Sequence, residues 1–388
     1  MATKPKVLLA MSGGVDSSVA AGLLLRQGYE VVGAFMRLGS PGEMLEDVER
    51  VGCDSSPTRL HKQGCCSVGD AMDARRVAAE LDIPLYVLNF KRDFRRVIDY
   101  FVASYASGTT PNPCVRCNDW LKFGKLHEQA RLIGADCVAS GHYARIREHA
   151  GAPALFRGID SAKDQSYVLF GIPSAQLGTT LLPIGEIESK QRVRELAHAF
   201  GLPVFDKPDS QEICFVPDDD YASLVERERP ELKDRCGDIL DTSGKVVGRH
   251  HGQHRLTIGQ RRKVGVALGY PIYVVDKDPV ANTVTIGSAA DLESVGCEAD
   301  EANWLVRPQV SGWAPCLARH RYNGEAVEAE YRCDSDDGAR GFRVRFGSAQ
   351  RAVTPGQAIV LYSADEPDLV LGGGWITKVE RSPLSESR

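Results

Sequence analysis

The stretch KVLLAMSGGVDSSVAAGLLLRQG, residues 6–28, constrains the fold more than any other part of the chain. A short apolar run ends at two glycines flanked by hydroxyl residues, and apolar side chains then recur at helical spacing. This reads as a buried strand, a tight turn and a helix. Backbone N–H groups at a helix start lack partners within the helix and sit at the positive end of its dipole, so such a turn suits phosphate. Gly13 and Gly14 permit close approach of the backbone, and Ser12, Ser17 and Ser18 add hydroxyl donors. Asp16 is a candidate to hold Mg2+ against the phosphates. The Gly-Lys-Ser/Thr ending of a Walker motif is missing. An ordinary strand–helix turn is the plain alternative; a seven-residue SGGVDSS in this setting weighs against it.

Strand and helix patterns then alternate. EVVGAFM (30–36) reads as a second buried strand, and Ser67 with Asp70 makes a capping box that opens a helix over 68–81. LYVLNF (85–90) reads as a strand, 94–106 and 119–133 as helices, CVASGH (137–142) as a strand, and 190–200 as a helix closed by Gly201 with Pro203 beyond. This alternation predicts an α/β domain with a doubly wound parallel sheet. After about residue 210 the pattern changes. PIYVVDKDPVANTVTIG reads as a hairpin, and from about 293 short strands separated by turn residues predict a small β-barrel or sandwich. The expected division is 1–210, a small central domain 211–292, a C-terminal β-barrel 293–384 and a tail 385–388. The polar stretch 39–64 is too long for a connector and reads as a functional or mobile loop without an assigned role.

Among the 388 residues no apolar run approaches the ~20 needed to span a bilayer, and the first residues lack the apolar core of a signal peptide. The expectation is a cytoplasmic protein without membrane association, acting as a monomer. In that compartment eleven cysteines imply catalytic, metal-binding or core thiols rather than a disulfide framework. A net charge of −5 does not advertise a polyanion partner, so any nucleic-acid surface must be a local patch. Arg249, Arg255, Arg261, Arg262 and Lys263, with His250, His251 and His254 and no acid among them, form such a patch; a solvated basic face is the alternative.

The cysteine pair in PNPCVRCNDW (111–120) admits three readings: half a zinc site, a redox dithiol, or thiols that handle sulfur. Zinc usually draws on a second CxxC, and none is present. A thioredoxin-type pair opens a helix after a strand, whereas this one follows Thr-Pro-Asn-Pro. Sulfur handling accords with SGGVDSS, which resembles the PP-loop of ATP pyrophosphatases. Adenylation turns a carbonyl oxygen into a leaving group that a sulfur nucleophile can displace. The other cysteines carry weaker signals: Cys65 and Cys66 read as a packed turn, Cys53 has no partner signal, and Cys137, Cys236, Cys297, Cys316 and Cys333 read as core.

Across nearly the whole chain the sequence resembles the tRNA-specific 2-thiouridylase family. The resemblance is carried by AMSGGVDSSVAA, GTTPNPCVRCNDWLKF, ASGHYAR, GIDSAKDQSYVLF, KPDSQEICFV, LTIGQRRKVGV, YVVDKD, VTPGQAIVLY and LGGG. It implies ATP-dependent thiolation of the 2-carbonyl of the wobble uridine of tRNA, with AMP and diphosphate as products and sulfur supplied by an upstream persulfide or sulfide donor protein. On this sequence the family's nucleophile falls on Cys117 and its persulfide carrier on Cys214. ATP contacts fall on Ala10, Met11, Ser12, Gly13, Gly14, Val15, Asp16, Ser17, Met36 and Gly141. Contacts to tRNA or the target base fall on Asn112, Pro113, Cys114, His142, Lys163, Asp164, Gln165, Arg321, Tyr322 and Gln357. Cys114 departs from the family, where many members carry Asp. Two routes for sulfur follow: a persulfide released as Cys117 and Cys214 form a disulfide, or a [4Fe-4S] cluster held by Cys114, Cys117 and Cys214 with one open iron. The rivals are another PP-loop synthetase acting on a small carboxylate or purine, and a non-catalytic tRNA-binding protein.

Overall fold

In the computed structural model the described residues are 4–39, 67–208, 213–216, 220–308, 311–335 and 341–382. The loop 39–64 beyond Gly39, the cysteines Cys53, Cys65 and Cys66, and the tail 385–388 lie outside them. The chain divides into two compact units: Met1–Val97 with Cys114–Asp219, and Ile98–Pro113 with Asp220–Arg388.

The first unit begins with β1 (Lys6–Ala10), α1 (Val15–Arg26), β2 (Glu30–Arg37), α2 (Val68–Glu80), β3 (Leu85–Asn89) and α3 (Lys91–Ala106), the last of which runs on into the second unit. It continues with α4 (Pro113–Cys117), a π-helical stretch Asn118–Lys125, α5 (Leu126–Leu132), β4 (Cys137–Ala139) and a hairpin of β5 (Ala144–His149) and β6 (Ala152–Arg157). β7 (Thr180–Leu181) and α6 (Lys190–Ala199) complete it. Among the described residues five strands pair in parallel in the order β3-β2-β1-β4-β7.

Alternate side chains of a strand point to opposite faces, and the sequence uses both. Val7 and Leu9 of β1 with Val31 and Phe35 of β2 join a core shared with α1, α2 and α6. Leu8 and Ala10 with Val32 and Ala34 join Leu126 and Ala130 of α5 on the other face. The sheet is therefore wound on both sides, as expected from the alternation, and the connection reverses direction between β1 and β4. At such a switch point the loops leaving neighbouring strands part and open a crevice at the carboxyl edge.

The second unit contains, after its part of α3, α7 (Tyr221–Glu228) and the strands β8 (Gly237–Leu240), β9 (Val246–His250), β10 (Tyr273–Asp278) and β11 (Thr283–Gly287), which pair in the order β10-β11-β8-β9. β10 and β11 form the expected antiparallel hairpin, turning through Asn282 at φ 55°. Six further strands close a barrel in the order β12 (Glu293–Trp304), β15 (Gly341–Arg351), β14 (Val327–Cys333), β13 (Ala314–Arg319), β16 (Ala358–Ser363) and β17 (Val370–Arg381). Ala329, Tyr331 and Cys333 alternate inward with Phe342, Val344 and Phe346. The LGGG motif belongs to this closure. A Cβ on Gly372 would stand 2.4 Å from the Asn303 carbonyl oxygen and one on Gly374 2.8 Å from that of Asp300, so β17 reaches β12 only as glycine.

The start of α2 follows the expected capping box: the Ser67 hydroxyl accepts from the Asp70 N–H at 3.1 Å and the Asp70 carboxylate accepts from the Ser67 N–H at 3.0 Å. Ser67→Ala is expected to cost about 1 kcal/mol of local stability, which hydrogen exchange would read as roughly fivefold faster exchange of the first-turn amides of α2.

Candidate functional site

Close backbone packing shapes the turn after β1. Gly13 has φ 72°, and a Cβ there would sit 2.2 Å from the carbonyl oxygen of Asp70 at the start of α2. From the other side Gly141, just past β4, approaches so nearly that a Cβ would stand 2.6 Å from the backbone nitrogen of Ser17. The stretch Gly13–Ser17 is thus packed by α2 at Gly13 and by the β4 loop at Asp16 and Ser17, at the switch point of the sheet. Gly14 caps α1 with extended backbone and no side-chain hydrogen bond, so no cap competes with a ligand for the first N–H groups. Ser18 Oγ donates to the Gly14 carbonyl at 2.7 Å, and Ser17 Oγ lies 3.3 Å from Ser12 Oγ. Ala10, Met11 and Val15 are buried, and Met36 is half-buried on β2.

Two lysines surround this turn, and the sequence reading assigned neither. Lys190 Nζ donates to both oxygens of Asp16 at 2.7 and 2.8 Å, and Tyr143 Oη donates to Asp16 Oδ1 at 2.8 Å. Lys207 Nζ donates to the Gly13 carbonyl at 3.0 Å and to Asp70 and Asp73 at 2.7 Å each. Mg2+ bound through nucleotide phosphates needs only one or two protein carboxylates. Asp16 is a carboxylate of that kind, engaged here by Lys190 and Tyr143.

The tripeptide Lys163–Gln165 is tied to the same turn. Asp164 is 5 % exposed, and its carboxylate accepts from the Gly158 N–H, the Ser166 N–H and the Ser166 hydroxyl at 3.0–3.1 Å. Gln165 Oε1 accepts from the Tyr143 N–H at 2.9 Å, and its own N–H donates to the Tyr143 carbonyl at 2.8 Å. Asp164 and Gln165 therefore shape the loop that orients Tyr143 on Asp16. Lys163 is half-buried.

His142 is 7 % exposed, and burial first, then the Lys122 ammonium, hold its imidazole well below the usual histidine range. Lys122 Nζ donates to Nε2 at 3.4 Å, which puts the proton of the neutral ring on Nδ1, 2.7 Å from Ser140 Oγ. Lys122 stands on the π-helical stretch that begins immediately after Cys117.

The cysteine pair lies in a helix, not in an extended turn. Pro113 opens α4, where its missing N–H costs nothing, and Cys114 and Cys117 occupy this single turn. The expected helix 119–133 thus begins six residues earlier and changes its pitch at Asn118. Asn118 is buried, with its side-chain N–H donated to the Val168 carbonyl at 3.0 Å, and Arg96 lies 3.9 Å over the Trp120 ring. Such wide turns are rare and concentrate where a side chain must be aimed. Cys114 is exposed; Cys117 and Cys214 are half-buried. Among the described residues no three His, Cys, Asp or Glu side chains are gathered closely enough to share a metal ion. As placed, Cys114, Cys117 and Cys214 do not fit a [4Fe-4S] cluster.

In the second unit Gln357 donates through Nε2 to the carbonyls of Thr110 and Pro111, both at 3.0 Å, and the Asn112 N–H donates to Tyr100 Oη at 3.3 Å. Tyr100 rests edge-on against Trp375 with ring centroids 5.9 Å apart. Gln357 thus holds the segment that delivers Asn112 and Pro113. Arg321 and Tyr322 are exposed on the barrel, with Arg321 Nη2 donating to the carbonyls of Arg351 and Ala352 at 3.0 and 2.9 Å.

The basic patch divides. Arg255 pairs with Glu226 and Arg249 with Asp238, and His250 and His254 are buried. Arg261, Arg262 and Lys263 are exposed and, among the described residues, make no ion pair. They form the tip of a loop whose ends are fixed by Lys277 Nζ donating to the Leu256 carbonyl at 2.7 Å and by the Gly259 N–H donating to the Val274 carbonyl at 2.8 Å.

Residues 5–218 match the family described as tRNA methyl transferase HUP domain, 229–288 the tRNA methyl transferase PRC-barrel domain, and 294–376 the aminomethyltransferase beta-barrel domain. The chain is 46% identical to the tRNA-specific 2-thiouridylase MnmA of Rhodopirellula baltica, over 96% of each chain. It is 46% identical to the protein of that name from Carboxydothermus hydrogenoformans, over 97% of this chain and 98% of the relative, and 45% identical to that of Geotalea uraniireducens, over 96% and 95%. The chain belongs to the tRNA-specific 2-thiouridylase family. Within a 2-thiouridylase the lysines at 190 and 207 had a legible signal, since Lys207 lies in KPDSQEICFV and Lys190 opens a helix behind the Ser189 cap. Their partners Asp16, Asp70 and Asp73 lie more than a hundred residues away along the chain, so sequence spacing alone could not pair them.

His320, beside Arg321 on the barrel of this 2-thiouridylase, is pushed down to about 4 by burial and by the neighbouring guanidinium. Its folded value lies below the ordinary 6.5, so the stability of the neutral ring is present above pH 6.5 and is lost as pH falls toward 4. Urea melts at pH 7 and pH 4.5 should show a loss that His320→Gln reduces by about 2 kcal/mol. An unchanged pH slope in the variant would remove His320 from the account.

Proposed function

We propose that this enzyme is a tRNA-uridine 2-sulfurtransferase that adenylates the 2-oxygen of the wobble uridine with ATP and replaces it with sulfur. The observation that carries the reading is the near full-length identity to proteins named tRNA-specific 2-thiouridylase. The glycine-packed turn at the head of α1 supports it independently, as a place for the phosphates of ATP. Ser12, Gly13, Gly14 and the first amides of α1 bind them. Lys190, presently spent on Asp16, supplies positive charge as diphosphate departs. The wobble base must leave the stack of the anticodon loop to be reached.

Sulfur arrives as the terminal atom of a persulfide on Cys214. The Cys117 thiolate attacks the inner sulfur of Cys214, a disulfide forms, and hydrosulfide is released. Hydrosulfide adds to C2 of the adenylated uridine, and AMP departs with the former 2-oxygen. A thiol reductant then resets the disulfide. No step passes through an iron–sulfur cluster. Methyl transfer, named in two of the matching domain descriptions, would leave both thiols and the phosphate turn without a task.

Mass spectrometry of tRNA from cells carrying Cys117→Ala in place of the wild-type protein should show loss of wobble 2-thiouridine; normal levels defeat the reading. ATP–diphosphate exchange driven by a small carboxylate without tRNA would favour an amide-forming synthetase. Failure to form AMP with tRNA and a sulfur donor would favour a binding protein.

The unpaired tip Arg261–Lys263 is the part of the basic patch suited to the phosphate backbone of tRNA. Replacing all three residues with alanine should weaken tRNA binding at low salt and flatten the slope of log K against log salt by roughly 2, at 0.7–0.9 per phosphate contact. An unchanged slope would place tRNA elsewhere.

A further inference from the structure

We propose that Asp160 is a positioning residue for the diphosphate half of the nucleotide: it fixes the root of Lys190 and so holds the ammonium in reach of the phosphate turn. The inference rests on the reading of that turn as the ATP site and names a residue outside it that sets its hold on phosphate.

Lys190 is the first residue of α6, and its backbone N–H is one of the donors that a helix start leaves without a partner inside the helix. Asp160 supplies the acceptor from 30 residues away, with Oδ2 3.1 Å from the Lys190 nitrogen. The helix already has a side-chain cap, since the Ser189 hydroxyl accepts from the Arg192 N–H at 3.2 Å. The second acceptor falls on the very residue whose ammonium reaches Asp16. Lys190 is thereby held at both ends, its backbone by Asp160 and its Nζ by Asp16. A long side chain loses much rotamer freedom when it is pinned to a ligand. One whose root is already fixed beside the site has less to lose, which favours binding.

The Asp160 carboxylate is itself locked in its loop. Its Oδ1 accepts from the Ala162 N–H at 3.1 Å, and the Asp160 carbonyl accepts from the Lys163 N–H at 3.0 Å. The Ile159 N–H donates at 3.0 Å to the carbonyl of Gly185, on the stretch that leads into α6. A Cβ on Gly185 would stand 1.7 Å from the Ala144 carbonyl oxygen, so that stretch lies hard against the start of β5. The loop also closes on Tyr143. A Cβ on Gly158 would lie 2.8 Å from the Tyr143 carbonyl oxygen, the same oxygen that accepts from the Gln165 N–H. Residues 158–165 therefore seat both side chains that donate to Asp16, Tyr143 through Gln165 and Lys190 through Asp160. A carboxylate at a helix start ordinarily adds stability alone. This one sits where a single loop fixes the two groups that face the carboxylate of the phosphate turn.

The test uses the full chain and follows the binding of ATP, inorganic diphosphate and AMP by calorimetry. AMP lacks the phosphates that Lys190 would meet and serves as the control. Asp160→Ala should weaken ATP and diphosphate about tenfold, the loss of one charge-assisted hydrogen bond, and leave AMP within about twofold. In a Lys190→Met background, where ATP and diphosphate are already weak, Asp160→Ala should change them by less than about twofold, because a residue that acts through another has nothing left to act on. Asp160→Asn keeps the size and one acceptor oxygen; it should give a smaller loss with the same selectivity, and it carries the test if Asp160→Ala does not fold. Equal weakening of ATP and AMP, or losses that add in the double variant, would make Asp160 a structural cap and overturn the proposal. Unchanged diphosphate binding in Asp160→Ala beside a weakened Lys190→Met overturns it too and spares the nucleotide site. Unchanged diphosphate binding in Lys190→Met, or no ATP binding by the wild type, overturns the reading of the turn along with it.

Discussion

The N–H groups at the head of α1 are the constraint on which the rest of the structure depends. They are available because Gly14 enters the helix with extended backbone and no side chain reaches back to cap it. They are held in place because neighbours press on the turn from two directions, through Gly13 against α2 and Gly141 against the first turn of α1. A polar side chain at the cap would have stabilised the helix by roughly a few tenths of a kcal/mol over glycine and occupied the donors. Leaving them open is a local sacrifice of stability of the sort that accumulates at binding sites.

Charge is arranged with the same economy. Each cation beside the turn has an acid to hold it in the absence of a polyanion: Lys190 on Asp16, Lys207 on Asp70 and Asp73. Half-buried ammonium groups without such partners would pay a desolvation cost and lose order. The acids hold both ammonium groups in place beside the turn. Tyr143 extends the arrangement outward, since the residues that orient it, Asp164 and Gln165, belong to a loop that resembles a tRNA-contacting segment.

Local signals in the sequence were reliable where the physics is local. The strand–turn–helix at 6–26, the Ser67 capping box, the helix stop at Gly201 and the β10–β11 hairpin all follow from neighbouring residues. The pair Cys114 and Cys117 was harder to read, because Pro-Asn-Pro looks like an extended turn until the second proline is recognised as the first residue of a helix. The π-helical pitch after it depends on Asn118 reaching the Val168 carbonyl fifty residues on, and no periodicity reveals that. Gln357, Asp164 and the paired arginines 249 and 255 show the same limit. Their residue types fit contact with RNA, while their observed partners are distant carbonyls, amides and acids that only the fold brings within reach.

The grip of Gln357 on Thr110 and Pro111 has a consequence for how such a chain can be divided. By sequence, residues 98–113 sit in the midst of the first unit; by packing, they belong with the carboxyl-terminal half. A fragment ending near 218 would keep the sheet but lose the scaffold beneath the prolines leading into the cysteine helix. The barrel thus completes a loop encoded 246 residues before Gln357, and a chain cut between the two would leave the Thr110 and Pro111 carbonyls without that amide.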